Sequence, residues 1–261
     1  MKRILTIDPG ADRVGWAIVD VDNAGVACDR AVISFGTLHP PADADLIRWS
    51  LGRCAGHPDL AALRAELAAR PVHVVGLEVP PPKVQASSFA GNTQRALVVQ
   101  GRVGAALATG LMSLMPDAVD VVHHAGQWRT MAANAMIRGG FLYSVHAPFC
   151  PSPGRGEKPT PSVPKTGPAS FAWACGHKTG FGAEWCTTCA PVTDTRTKWK
   201  AAACTVVAHM LGPRWDAFAE PVRRRSRSAV RDHQRVGLHD AAEAVLHGLG
   251  IAETLCWNPS P

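Results

Sequence analysis

The chain has 261 residues, of which 46% are hydrophobic and 18% are charged. That balance excludes an intrinsically disordered chain, and the length suffices for one large domain or two small ones. The formal net charge is +6 and the sequence pI is about 9.0, which suits an anionic partner without requiring one. No stretch reaches the ~18 continuous apolar residues of a membrane helix, and the first residues lack the apolar core of a secretion signal. We therefore expect a cytoplasmic protein with no membrane partner.

The first half of the chain predicts a mixed α/β sheet. Short apolar runs bounded by turn residues predict strands, and leucines at helical spacing predict helices. The strands are expected at 3–8, 14–20, 31–38, 72–79 and 117–124, the first three as an antiparallel meander, with helices at 58–70 and 93–111. The succession β-β-β-α-β-α-β is typical of a sheet with helices packed against it.

The second half is interrupted by a segment of different composition. Residues 139–192 are rich in Pro, Gly, Ser and Thr, which predicts an insertion rather than a core element. Helical patterns resume at 197–212, where Gly212-Pro213 is the expected stop, and the last helix is expected at 238–250. We interpret residues 1–261 as a single domain that carries this insertion.

Four acidic residues stand at positions where chemistry is expected. Asp8 and Glu78 each end an apolar strand, and Asp240 and Glu243 project from one face of the last helix because they are three residues apart. A single Asp after a strand commonly forms a turn, and acids in a first helical turn commonly interact with the helix dipole. Glu78 is less easily explained in this way, since a carboxylate at the end of a buried run requires a partner.

A divalent cation would account for all four acids. If the first and fourth strands are neighbours in the sheet, Asp8 and Glu78 lie side by side, and the last helix can bring its two acids to the same place. Four carboxylates repel one another unless a cation holds them, and hard oxygen ligands suit Mg²⁺ or Mn²⁺. A pair of such ions can activate water and stabilise the leaving oxygen of a phosphodiester.

Several segments resemble those of RuvC-type Holliday-junction resolvases, and they occur in the same order. The similar segments are "ILTIDPGADRVGWAIVD", "GLEV" followed by "TQRALVVQGRVGAALA", "QWR" at 127–129, lysines at 198 and 200, and "HDAAEAVLHGLG". The resemblance implies a ribonuclease-H-like fold with a mixed five-stranded sheet and flanking helices. It also implies that Asp8, Glu78, Asp240 and Glu243 are metal-binding catalytic acids of a homodimeric endonuclease that cleaves branched DNA at four-way junctions.

Three departures from the family pattern indicate a divergent, phage-like member. The fourth acid is Glu243, whereas the family more often has Asp. The sequence "PPP" at 80–82 replaces a phenylalanine that bacterial resolvases carry soon after the strand-four Glu. The third departure is the insertion of about 50 residues, which spans residues 139–192.

Clustered cysteines in the insertion predict a structural zinc site. Cys175, His177, Cys186 and Cys189 lie within fifteen residues, and the Cys-x-x-Cys spacing directs two thiolates at one ion. Zinc would supply folding free energy to a segment that has no apolar core of its own. The Cys-x-His pair is the less usual half, so Cys150 or His146 could replace His177. The alternative is a reduced loop without metal.

Basic residues near the last helix are candidates for contact with DNA phosphates. Arginines crowd the segment before Asp240, and two lysines precede them. The candidates are Arg223, Arg224, Arg225, Arg227, Lys198 and Lys200, with Arg231 and Arg235 in the same run. Either lysine could lie near the scissile phosphate, and the alternative for the arginines is a solvated loop.

Three other functions are alternatives to the resolvase. One is a ribonuclease-H-like nuclease that acts on flaps or RNA–DNA hybrids. Another is a sugar-kinase-like or actin-like ATPase, because "DPG" after a strand also resembles a phosphate loop, although that reading gives Glu78 no role. The third is a non-catalytic DNA-binding protein that uses zinc and arginines, for which all four acids would be accidental.

Overall fold

A computed structural model describes most of the chain outside the insertion. The described residues are 2–10, 12–21, 31–41, 43–54, 56–79, 92–124, 127–128, 131–132, 160–162, 170–172, 178–180, 200, 203–204, 207–208, 210–225, 232, 235 and 237–257. No helix within these ranges is long and apolar enough to span a lipid bilayer.

A five-stranded mixed sheet forms the centre of the molecule. Its strands are β1 (Lys2–Pro9), β2 (Val14–Val21), β3 (Val32–Leu38), β4 (Val74–Glu78) and β5 (Val119–His123). The order across the sheet is β3-β2-β1-β4-β5, with β1, β2 and β3 antiparallel and with β4 and β5 parallel to β1. The predicted meander is confirmed, and the first and fourth strands are neighbours, which is the condition that the metal-site hypothesis requires. This order and these directions are consistent with a ribonuclease-H-like fold.

Five described helices flank the sheet. They are α1 (Leu46–Ser50), α2 (Pro58–Ala69), α3 (Asn92–Met112), α4 (Pro213–Arg225) and α5 (Leu238–Trp257). One core packs residues of α1, α2 and α3 on one face of the sheet, and a second core packs α4, α5 and the helical residues around 203–211 on the other face. The sheet is therefore buried on both faces, which explains the continuous apolar run of β4.

The region before α5 departs from the sequence-based prediction. The described residues among 200–211 are helical as predicted, and Gly212 ends that stretch with a φ of +50°. A new helix, α4, begins at once with Pro213, because proline suits the first helical position. That helix was not predicted, and its last turn contains Arg223, Arg224 and Arg225. The last helix also continues to Trp257, beyond its predicted end.

The insertion contains a small sheet of its own. Strands β6 (Thr160–Ser162), β7 (Ser170–Ala172) and β8 (Lys178–Gly180) pair antiparallel in that order. The zinc candidates Cys175, His177, Cys186 and Cys189 and the alternatives Cys150 and His146 all lie outside the described residues. Arg227 and Lys198 lie outside them as well.

Candidate metal centre

Asp8 is the penultimate residue of β1, and it lies on the face of the sheet that α5 covers. It pairs with Gly15 of β2, and directly opposed residues of an antiparallel pair project to the same face. A Cβ atom on Gly15 would lie only 2.0 Å from the carbonyl oxygen of Asp240, so the first turn of α5 rests on the Gly15 backbone. Asp8, which is 9% exposed, therefore lies beside the start of α5.

Glu78 ends β4 beside Asp8 and on the same face. Ile7 is in register with Leu77, so the next residue of each strand, Asp8 and Glu78, stand side by side on strands about 4.8 Å apart. Gly76 of β4 lies on the face that α5 covers, because a Cβ atom there would meet Ile251 of α5. Because residues two apart on a strand share a face, Glu78 also projects toward α5.

The first turns of α5 supply two more carboxylates. His239, Asp240 and Glu243 each offer a ligand atom, and these atoms lie within 4.8 Å of one another. Glu243 is only 6% exposed. The side-chain hydroxyl of Thr6 donates to the Ala244 carbonyl at 2.8 Å, which fixes α5 to β1 next to these acids. Asp8 and Glu78 therefore lie near the ends of β1 and β4 on the face that α5 covers, and Asp240 and Glu243 lie at the start of α5. Among the described residues, the group whose ligand atoms lie within 4.8 Å of one another consists of His239, Asp240 and Glu243 and does not include Asp8 or Glu78.

Basic side chains border the acids, and of these Lys200 was the one predicted from the sequence. Arg13 Nε lies 3.6 Å from Asp240 Oδ2, and His239 Nε2 lies 2.9 Å from Asp240 Oδ1. Lys200 Nζ lies 2.7 Å from the same His239 nitrogen. Lys200 is thus at the site. The adjacency of "HD" at 239–240 was the available signal for His239, whereas Arg13 is brought there only by the β1–β2 turn.

The electrostatic surroundings keep Asp240 ionised. Burial raises the pKa of its carboxyl, but the hydrogen bond from His239 and the nearby cationic groups outweigh burial and leave that pKa below its usual value. The start of α5 adds the positive end of the helix dipole. A carboxylate that remains charged at neutral pH is available to a divalent cation.

An aromatic and histidine cluster lies behind Glu78. The indole Nε1 of Trp128 donates a 2.5 Å hydrogen bond to Glu78 Oε2. The Trp128 ring stacks on His247 of α5, with ring centroids 5.4 Å apart and an interplanar angle of 28°. His247 Nε2 lies 3.1 Å from Nδ1 of His123, which is the β5 partner of Glu78. The sequence signal for His247 was its position two turns after Asp240 on the same helical face.

The two histidines of this cluster are held neutral. Burial and the neighbouring His123 lower the pKa of His247 to about 3. Burial and His124 lower the pKa of His123 as well. The cluster therefore packs against Glu78 without placing an imidazolium charge next to it at neutral pH.

The arginine run is divided between internal ion pairs and solvent. Arg223 donates to both carboxylate oxygens of Asp232, at 3.1 and 2.5 Å, and to Asp216 at 2.9 Å. Arg224 pairs with Glu220 at 2.7 Å while 78% of its side chain is exposed, and Arg225 is exposed at the end of α4. Arg223 therefore joins α4 to the segment before α5. Phosphate contact by this run stays a prediction, and the exposed Arg224 and Arg225 are better placed for it than Arg223.

The donor set fits a hard divalent cation. Asp240, Glu243 and His239 offer two carboxylates and one imidazole, and Asp8 and Glu78 add carboxylates on the same face of the sheet; Mg²⁺ and Mn²⁺ accept such oxygen ligands. The buried Cys204 nearby is a thiol whose pKa is raised well above its usual value by burial and the adjacent acids. That thiol is held protonated, so the oxygen ligands determine which metal suits the site.

Comparisons with known proteins give limited matches. No protein-family model matches the sequence, and no curated protein matches it. Among solved structures, RuvC of T. thermophilus in complex with a Holliday junction substrate is similar over 51% of this chain and 70% of that chain, with 15% sequence identity and a TM-score of 0.36. The fold assignment rests on the strand order and directions of this chain itself.

Proposed function

We propose that the protein is a metal-dependent endonuclease of the resolvase type, which hydrolyses phosphodiester bonds in branched DNA. The observation that carries this proposal is that Asp8 and Glu78 stand on neighbouring strands of the face covered by α5, whose first turns bring Asp240 and Glu243 together. The hypothesis of a sugar-kinase-like or actin-like ATPase gives Glu78 and Glu243 no role. A purely DNA-binding protein would gain nothing from four carboxylates facing an anionic ligand, because they would repel its phosphates.

The four acids would hold Mg²⁺ or Mn²⁺ and orient it. Bound there, divalent ions would supply an activated water and stabilise the charge on the leaving oxygen. The fold of the protein positions the acids that would bind these ions. The register of β1 and β4 sets the spacing of two acids, and the seat of α5 on Gly15 sets the position of the other two.

Lys200 and Arg13 are the basic residues we assign to the scissile phosphate. Both lie within 4 Å of Asp240 or its neighbour His239, so a phosphate entering the site would meet a positive charge on each side. Lys200 is proposed for this role because it lies next to His239, while Lys198, the other candidate, lies outside the described residues. Charge-assisted hydrogen bonds of this kind are stronger than neutral ones and favour the charged transition state.

The preference for branched DNA rests on the ordered segments that resemble RuvC-type resolvases and on the net charge of +6. Paired cuts across a four-way junction require two active sites related by a twofold axis, so we propose a homodimer. Exposed arginines at the end of α4, with Arg227 following in sequence, are proposed to contact the flanking phosphates.

Cleavage of a panel of labelled substrates tests this function. We expect the protein in Mg²⁺ or Mn²⁺ to cut a synthetic four-way junction in paired strands at least tenfold faster than linear duplex, a 5′ flap or an RNA–DNA hybrid of the same sequence. Products should carry 5′-phosphate and 3′-hydroxyl ends. Equal or faster cleavage of the flap or the hybrid would assign the metal centre to a different nuclease specificity. ATP turnover without DNA cleavage would reject the nuclease altogether.

We also propose that Cys175, His177, Cys186 and Cys189 bind one structural Zn²⁺ per chain, with Cys150 or His146 as alternatives to His177. Elemental analysis of protein purified without chelators should find about one zinc per chain. The Cys186→Ser variant should lose it and should become protease-sensitive within 139–192 while the main sheet stays folded. Native protein without zinc would contradict the proposal.

A further inference from the structure

The Trp128 side chain touches one of the four acids, although it comes from outside the strands and from outside α5. Its Nε1 lies 2.5 Å from Glu78 Oε2, a short distance for a nitrogen donor. A hydrogen bond to an ionised carboxylate is also stronger than one between neutral groups. A buried indole N–H usually finds an acceptor, and for the buried Trp128 that acceptor is a carboxylate of the candidate metal centre.

The Trp128 ring has little freedom to move. It is 0% exposed and stacks on His247, which is itself 0% exposed and belongs to the same helix as Asp240 and Glu243. His247 is in turn held against His123 at 3.1 Å. The donor that meets Glu78 is therefore fixed by packing against α5, so Glu78 and the α5 acids share one rigid support.

The short segment that carries Trp128 is fixed to the end of β4. The backbone N–H of His124 donates to Gln127 Oε1, and the N–H of Gln127 donates back to the His124 carbonyl, each at 2.9 Å. The Val79 N–H, directly after Glu78, donates to the His123 carbonyl at 3.0 Å. The acid and its donor are thus linked by backbone bonds as well as by their side chains.

We propose that Trp128 is a positioning residue that fixes the carboxylate of Glu78 through its indole N–H and thereby sets the affinity of the centre for its divalent cation. The inference rests on the proposed function, since it concerns the same site. A carboxylate has two oxygens and a rotatable terminal bond, and the hydrogen bond to Oε2 removes that freedom before the cation arrives. Trp128 itself touches neither the cation nor the phosphate in this account.

The test measures Mn²⁺ binding directly, without DNA and without turnover. Free Mn²⁺ is followed by electron paramagnetic resonance during titration of the purified protein. Trp128→Phe keeps an aromatic ring and removes the N–H, and incorporation of benzothienylalanine at 128 removes the N–H while preserving the shape of the indole. Partners that orient a ligand typically contribute about 10- to 100-fold in metal affinity, and we expect a loss of that size in both variants.

Trp49→Phe is the matched control. Trp49 is also buried, at 1% exposure, but it belongs to α1 on the opposite face of the sheet, and its Nε1 meets no acceptor within the described part of the chain. We expect Mn²⁺ affinity within about twofold of wild type there. Cleavage by the Trp128 variants should recover when Mn²⁺ is saturating, because the four ligands are still present.

The possible outcomes separate this inference from the proposed function. Folded Trp128 variants that bind Mn²⁺ as tightly as wild type would overturn the positioning role and leave the nuclease proposal intact. Failure of the benzothienylalanine protein to fold would make Trp128 a core residue and would also overturn it. Wild-type protein that binds no Mn²⁺ would overturn the metal centre and, with it, this inference.

Discussion

The Asp8→Asn variant should lose cleavage of a four-way junction by at least about 1,000-fold and should keep its stability. Asn preserves the shape of the side chain but removes one of the four negative charges that we propose hold the cation, at a position beside Glu78 and the start of α5. The cation would then be held poorly, and uncatalysed attack of water on a phosphodiester is very slow. Repulsion among the remaining acids falls in the same step, so the free energy of unfolding should stay equal or rise. Junction binding without metal should persist, because basic residues carry it.

Asp20→Asn provides the matched control on the neighbouring strand. Asp20 is 7% exposed and accepts two hydrogen bonds from Arg3, at 2.7 and 3.1 Å, at the opposite end of the β1–β2 pair from Asp8. Weakening that buried pair should lower the free energy of unfolding by about 1–3 kcal/mol while leaving the cleavage rate of the folded protein unchanged. Urea unfolding and single-turnover cleavage of both variants give the comparison. If Asp8→Asn cut at the wild-type rate, Asp8 would only shape a turn and the nuclease proposal would fail.

The sequence predicted the sheet well because each strand is an apolar run bounded by turn residues. It also placed Asp8 and Glu78 at the ends of strands, but the pairing of those strands was only a condition of the metal-site hypothesis, which the β1–β4 register satisfies. Hydrophobic periodicities of two residues in strands and 3.6 residues in helices predict the individual elements. The i, i+3 spacing of Asp240 and Glu243 placed both acids on one face of α5, whereas their approach to β1 depends on the tertiary packing of α5 on Gly15.

Residues that join elements far apart in the chain were not predictable in this way. Trp128 meets Glu78 across 50 positions of sequence and stacks on His247, and no periodic pattern encodes either contact. Helix α4 was missed because its last turn has three consecutive arginines and an internal Pro221, which indicate a loop. Its arginine charge is partly balanced by Asp216, Glu220 and Asp232, and those pairs form only after the chain folds.

Gly15→Ala should destabilise the protein and weaken metal binding together. The added methyl group would lie 2.0 Å from the carbonyl oxygen of Asp240 and 2.3 Å from its carbonyl carbon, both backbone atoms that no rotamer change can move aside. The first turn of α5 must therefore shift away from the sheet, which carries Asp240 away from Asp8. Overpacking of this kind costs about 1–3 kcal/mol, and we expect the free energy of unfolding to fall by the upper end of that range.

Gly101→Ala separates this close approach from the general effect of replacing a glycine. Gly101 is an exposed residue of α3 where a Cβ would meet nothing within 4 Å, so Ala there should raise the free energy of unfolding by about 0.5–1 kcal/mol through helix propensity. Urea unfolding measures both variants, and Mn²⁺ titration should show weaker binding for Gly15→Ala alone. Gly15→Ala with wild-type stability and wild-type Mn²⁺ affinity would mean that α5 does not rest on β2 at this point. Asp240 would then be held near Asp8 by contacts other than the packing of α5 on Gly15 of β2.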